Sequence, residues 1–237
     1  MRVKDDKKID LLLKQGWKRM EESVDDLHDV GHIKRMLDDL GKLLEYEEGL
    51  KKKIDRKMLE MMIVWHDCWK AERNTENVFL LGWGNAYEGW GSAKIFRKQA
   101  KRVGLSKKKI KVISDGIRKH TWFCRKMKRG LEASILWDLD NLEVWTLKRA
   151  MPKKNSLFAK QWKRRDRFFV RMVFFYIQNF LMARSEKHLY FDWSKEEYIK
   201  RKEKFGLEME KAWEEYKNIL TGGKRSRWRL PRVFSRR

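Results

Sequence analysis

A chain of 237 residues is long enough for one domain with its own core. With 42% hydrophobic and 39% charged residues, it is neither a disordered polymer nor a chain of apolar spans. The net charge of +24 fits two readings: a device for solubility, or attraction to polyanions such as nucleotides, nucleic acid or anionic membrane.

Only two prolines occur, and strongly periodic stretches are many, so an all-α fold is expected. Residues 7–20 form the first helical stretch, with Ile9, Leu12, Leu13, Trp17 and Met20 on one side. Residues 22–47 form a second, in which Ile33, Met36, Leu37, Leu40 and Leu44 recur at helical spacing. His32 and Arg35, three apart, share a face there. Residues 54–67 form a third, ending in His66-Asp67. Residues 72–89 carry Gly82, Gly84 and Gly89 and read as a loop or broken segment. A helix follows over 91–103 with Gly104 as its stop, and Ser106 caps another over 107–120. Residues 130–149 carry Asp138 and Asp140, and Pro152 ends that helix. Two longer helices are expected over 157–184 and 194–219, with Ser194 and Glu197 as a capping box for the second. Residues 221–237 hold basic residues without an acidic one and read as a flexible basic tail.

The most apolar stretch, residues 168–183, is interrupted by Arg171 and Asn179 and suits a buried helix better than a membrane span. The first ten residues are charged and lack an apolar signal core. Cys68 and Cys124 form no CxxC, so no zinc ribbon or redox motif is present. These features point to a cytoplasmic protein.

Five histidines are available, and their order is informative. His28 and His32 come first, then His66-Asp67, then His120, with Asp138 and Asp140 after it; His188 stands apart and reads as packing. Imidazole with carboxylate suits a divalent metal.

This order resembles the HD-domain metal-dependent phosphohydrolases, named for their central His-Asp pair. Four segments carry the resemblance: His28-Asp29-Val30-Gly31-His32-Ile33-Lys34-Arg35; the apolar helix ending in His66-Asp67; residues 92–120, with Ile117-Arg118-Lys119-His120 as the family's Ile-x-x-His; and Ile135-Leu136-Trp137-Asp138-Leu139-Asp140-Asn141-Leu142-Glu143 as its Asp-x-Asp-x-Leu segment. It covers residues 22–150 and implies a helical bundle of residues 1–220, C-terminal helices 157–219 included, followed by the tail. It implies one divalent metal ion (Mn, Fe, Co, Ni, Zn or Mg) held by His32, His66, Asp67 and Asp140. The implied activity is hydrolysis of a phosphate ester or anhydride, of a nucleotide or another small phosphorylated metabolite, through a metal-activated water.

Within that reading Arg35 and Lys70 are the candidate phosphate cations. His120 is a phosphate contact or leaving-group acid, and Asp67 a group that orients water. Plainer readings stand beside these. Arg35 and Lys70 fit solvated charges, His120 a core or surface histidine, His28 a supporting group, and Asp138 a helix-capping contact. Relatives often place a His where this chain has Tyr87-Glu88-Gly89-Trp90, so one metal is expected rather than two. The last ligand is followed by Asn141 rather than a basic residue, and Cys68-Trp69-Lys70-Ala71 replaces the usual Gly-containing segment. The alternatives are a nucleic-acid-binding protein or HD-type nuclease using the basic surface and tail, and a regulatory HD protein without turnover.

Overall fold

The computed structural model describes residues 2–24, 28–72, 78–145 and 185–221, and these are all-α, with no strand among them. The longer helices are α1 (Arg2–Glu21), α2 (Val30–Tyr46), α3 (Arg56–Trp65), α5 (Val78–Val103), α6 (Lys107–Lys119), α7 (Leu131–Glu143) and α8 (Asp192–Thr221). The single turn α4 (Cys68–Ala71) follows α3 directly. No helix of the described residues is long and apolar enough to cross a membrane. The C-terminal stretch 157–184 and the basic tail fall outside the described residues, apart from residue 221, which ends α8.

Helix α3 is the axis of the bundle. Six residues in succession, Leu59 and then Met61 to Trp65 around Glu60, leave almost no polar face, and all but Glu60 are buried. A helix that is apolar all round must be covered on every side. Accordingly α1, α2, α5, α6 and α7 all pack on α3. Trp65 is fully buried, and its indole N–H donates to the Leu12 carbonyl at 3.0 Å, so its polar atom is satisfied. A second core joins α7 to α8 through Trp137, Leu142, Trp145, Tyr198 and Phe205.

Side-chain caps explain three of the helix starts. Asp29 is extended (φ −107°, ψ −179°) and its carboxylate accepts from the His32 backbone N–H at 3.0 Å. That cap makes α2 begin at residue 30, not at 22 as the periodicity suggested. Asp55 caps α3 in the same way through the Met58 N–H at 3.1 Å, and Ser106 caps α6 through the Lys109 N–H at 3.4 Å. Gly104 has φ +75°, the left-handed conformation that stops α5. Helix α8 starts at Asp192, so Ser194 lies inside its first turn rather than at its cap.

The expected break over 72–89 is corrected: from residue 78 the chain is continuous helix. Gly89, and Gly91 just beyond the expected break, serve close packing instead. A Cβ on Gly89 would lie 2.6 Å from the Arg118 carbonyl oxygen, and one on Gly91 would lie 2.2 Å from the Trp69 ring. Tertiary contact has overridden local propensity. Gly89→Ala is therefore expected to lower unfolding free energy by about 1–3 kcal/mol, because backbone cannot yield as a side chain does. Chemical denaturation of the two proteins checks this, and unchanged stability would contradict the close approach.

Candidate metal centre

Two helices end in a histidine, and both histidines do the same thing. At the end of α3, His66 keeps a helical backbone and its ring Nδ1–H donates to the Ile63 carbonyl at 2.7 Å. At the end of α6, the His120 Nδ1–H donates to the Ile117 carbonyl at 2.6 Å. Each ring donates to a carbonyl in the last turn of its own helix, where carbonyls lack their full set of intrahelical partners. Each is thereby fixed in one tautomer, with the Nε2 lone pair facing inward. The two rings stand edge to face, 4.9 Å between centroids.

His32 joins them from α2, oriented by a carboxylate: its Nδ1 donates to Glu143 Oε2 at 3.2 Å. Its Nε2 reaches 3.2 Å from His66 Nε2. Two inward lone pairs that close repel unless a cation, a proton or a metal, lies between them.

Two carboxylates supply the counter-charge. After His66 the chain breaks helix at Asp67 (φ −109°, ψ 9°), and the next turn, α4, hangs from the Asp67 carbonyl through the Lys70 and Ala71 N–H groups at 2.9 and 3.0 Å. Asp67 Oδ2 then lies 3.1 Å from His66 Nε2 and 3.6 Å from His32 Nε2. Asp140 Oδ1 lies 3.6 Å from His32 Nε2 and 3.7 Å from His66 Nε2. Residues two apart on a helix point to different sides, whereas residues three apart share one. That is why Asp140 and Glu143 enter the centre and Asp138 does not. Asp138 accepts the Tyr190 and Phe191 backbone N–H groups, each at 3.0 Å to Oδ2, and so anchors the start of α8. Burial pushes its carboxyl up to about 7.

All four expected ligands, His32, His66, Asp67 and Asp140, converge with one donor atom each within 4.8 Å of one another. His32, His66 and Asp67 are at most 1% exposed, and Asp140 forms the rim with a side chain 16% exposed. Asp67 Oδ2 and His120 Nε2 are buried without a hydrogen bond of proper geometry. Buried polar atoms without such bonds are costly, and a cation accounts for them. The donor set, imidazole nitrogens with carboxylate oxygens, is that of a transition metal or Mg. The residues present fit a divalent ion.

The electrostatics agree. Burial alone would push the His66 imidazolium down, but the Asp67 and Asp140 carboxylates outweigh it and hold it up at about 10. Burial opposes ionisation of Asp67, yet His66, His28 and His120 hold its carboxyl well below the usual carboxylate range. A metal must therefore displace a proton from His66. At about pH 7, metal binding is expected to release one proton, and affinity to rise roughly tenfold per pH unit up to about 10. Titration calorimetry in buffers of different ionisation enthalpy reads this; a proton count near zero would contradict it.

The remaining candidates take clear positions. Arg35 Nε donates to Glu143 Oε2 at 2.7 Å, so part of its charge is spent orienting the carboxylate that holds His32. Lys70 is buried, pairs with Glu88 and lies 3.2 Å from His28 Nε2. His28 Nε2 is in turn 3.8 Å from Asp67 Oδ2. His120 Nε2 lies 3.6 Å from Asp67 Oδ1, the oxygen turned away from the four-ligand set. His188 is not among these residues; its carbonyl accepts the Trp137 indole N–H at 3.1 Å.

Sequence reasoning missed two participants. Glu88 stands 3.7 Å from His120 Nε2 and completes a second group, Asp67, Glu88 and His120. Its signal was present: Glu88 is the sole acidic residue of α5. Glu143 was passed over because orienting a ligand leaves no motif. Burial of the Cys68 thiol pushes its ionisation up, which removes it from the chemistry. Comparison with protein-family models, curated proteins and solved structures gives no match.

Proposed function

We propose that this chain is a metal-dependent phosphohydrolase of the HD type, acting on a nucleotide or another small phosphorylated metabolite. The observation that carries the reading is the convergence of His32, His66, Asp67 and Asp140 into one buried set with a rim at Asp140. The order of these residues along the chain, on helix ends and helix faces, is the one the resemblance implies.

His32, His66, Asp67 and Asp140 would hold one divalent ion. When bound, such an ion supplies Lewis acidity toward a phosphoryl oxygen and toward water. The protein does the rest. Glu143 fixes the His32 tautomer and ring plane, and Arg35 fixes Glu143. His66 needs no carboxylate partner for orientation, because its own helix holds it. Asp67 presents one oxygen to the four-ligand set and the other to His120, so a water lying between them would be oriented by donating a hydrogen bond to this carboxylate. Lys70 places positive charge beside the site, where charge on a phosphoryl group grows.

The test is a hydrolysis panel with metal-stripped protein and Mn, Co, Ni or Mg. Its arms are mononucleotides, a phosphodiester and single-stranded DNA. Metal-dependent phosphate release from a nucleotide supports the reading. Cleavage of DNA alone moves the assignment to a nuclease, and no product with any metal contradicts hydrolysis.

A further inference from the structure

The three residues Asp67, Glu88 and His120 are a second group of metal-ligating type, and it shares Asp67 with the first. The shared carboxylate is split between them: Oδ2 faces His32 and His66, and Oδ1 faces His120. A centre built this way is poised for two cations bridged by one carboxylate. The second position, however, already has a cation beside it. The Glu88 carboxylate turns Oε1 to His120 at 3.7 Å and Oε2 to the Lys70 ammonium. Lys70 is buried, held also by His28 at 3.2 Å, and is carried on the single turn α4 directly after Asp67.

Resting on the reading above, we propose that the Lys70 ammonium takes the place of a second metal ion and holds the centre at one metal per chain. Charge decides it. The centre has three buried or nearly buried carboxylates, Asp67, Glu88 and Asp140, since Glu143 is balanced by Arg35 and Arg201. Three negative charges, one ammonium and one divalent ion sum to zero. A second divalent ion added beside Lys70 would leave two uncompensated positive charges in a buried site, which is strongly unfavourable. Its neighbour across the Glu88 carboxylate would be a like charge that has nowhere to withdraw. Without the ammonium, one divalent ion leaves the same three carboxylates one charge short, and the Glu88–His120–Asp67 face is the place with donor atoms for another.

The geometry also accounts for glutamate at position 88. A carboxylate serves an ammonium and a histidine at once, one oxygen each; a histidine at the same place would offer Lys70 no charge. Glu88 and Lys70 are therefore a matched pair, set by the packing of α4 on α5, which places the Trp69 backbone N–H 3.1 Å from Ser92 Oγ on the same face of α5.

The experiment is metal stoichiometry, by titration calorimetry and elemental analysis with Mn(II), on full-length wild type, Lys70→Met and Lys70→Arg. Wild type and Lys70→Arg are expected to saturate at one ion per chain. Lys70→Met is expected to saturate at two, with exchange-coupled Mn(II) signals in electron paramagnetic resonance, because the ions would share Asp67. Lys70→Gln gives the same reading should the methionine protein fail to fold. Two ions on wild type, or one ion on both uncharged variants, overturns the proposal and leaves the metal reading intact. No ion on any of them overturns the metal reading itself.

Discussion

Replacing Asp67 with alanine is expected to abolish metal binding and turnover together, while the helical bundle stays folded. Among the described residues, Asp67 is the one shared by both possible ligand groups, with Oδ2 3.1 Å from His66 and Oδ1 3.6 Å from His120. Its loss removes one proposed ligand, the counter-charge of His66 and the hydrogen-bond acceptor for a water in one step. Turnover is expected to fall by on the order of 10³-fold or more, the scale seen when a preorganised electrostatic contact is lost and metal chemistry goes with it. Fold stability follows in part. Asp67 Oδ2 is buried without a hydrogen bond of proper geometry, and once the carboxylate is gone burial favours the neutral form of His66, which can shed its proton. Removing one member of a buried pair costs about 3–5 kcal/mol, and that proton release lowers the expected loss, relative to metal-free wild type, to about 2–4 kcal/mol. Asp67→Asn separates shape from charge and is expected to behave like the alanine protein in metal binding. Circular dichroism with a metal titration reads both quantities. A folded Asp67→Ala protein that binds metal with wild-type affinity would remove Asp67 from the centre.

Glu143→Ala acts by a different route and has the second-largest expected effect. Glu143 touches no substrate. It accepts from His32 Nδ1 at 3.2 Å and from Arg35 Nε at 2.7 Å, and Arg201 of α8 lies 3.7 Å away. Arg201 in turn pairs with Asp39 of α2 at 2.8 Å. One carboxylate thus ties α2, α7 and α8 together behind His32. Its removal frees the His32 ring and is expected to weaken metal binding by about 10–100-fold, the usual cost of losing an orienting partner. It also takes the carboxylate from the Arg35 guanidinium, while Arg201 keeps Asp39 and Glu197. Removing one member of a buried pair costs about 3–5 kcal/mol, and partial exposure of Arg35 reduces this to about 2–4. Acid sensitivity gives a further signature. Burial would raise the Glu143 carboxyl, but His32 and Arg35 outweigh it and hold it at about 2, below its ordinary 4.5. A depressed carboxyl stabilises the fold above its unfolded value, and the contribution disappears as pH falls from about 4.5 toward 2. The Glu143→Ala protein is expected to lack that segment of acid destabilisation. Urea unfolding as a function of pH measures it; parallel profiles for the two proteins would show that the carboxylate carries no such charge.

How much of this was legible in the sequence follows from the kind of interaction involved. Helix α3 announced itself, because a run from Leu59 to Trp65 with one polar residue has no other stable place than the centre of a bundle. His66-Asp67 at its end, and His32 and Asp140 on neighbouring helices, were legible as a converging group through their order and chemistry. Glycines misled. Gly89 read as a breaker, yet it and Gly91 are the positions where α5 approaches Arg118 and Trp69 too closely for a side chain. Local preference does not reveal a close approach between elements distant in sequence. The Asp29 cap overrode periodicity for a similar reason: a single side-chain hydrogen bond decides where a helix starts, while periodicity only says that one exists. Glu88 and Glu143 were not legible as parts of the centre. Their roles depend on which side chain faces them across the bundle, Lys70 and His120 in one case, His32 and Arg35 in the other.

The two orienting devices also differ in robustness. His66 and His120 are each held by a carbonyl of their own helix, so they keep their orientation as long as α3 and α6 are formed. His32 depends on a side chain from α7, more than a hundred residues away (|i−j| = 111). The centre is therefore expected to fail first at His32, when α7 or α8 loosens.

A divalent ion held by His32, His66, Asp67 and Asp140 in a phosphohydrolase is tested most directly by phosphate release from a mononucleotide panel, with metal-stripped protein and Mn(II) added in increments. Release that is absent without metal and reaches its plateau at one equivalent per chain is the expected result. Release that is indifferent to stripping, or no release from any nucleotide at saturating metal, would contradict it.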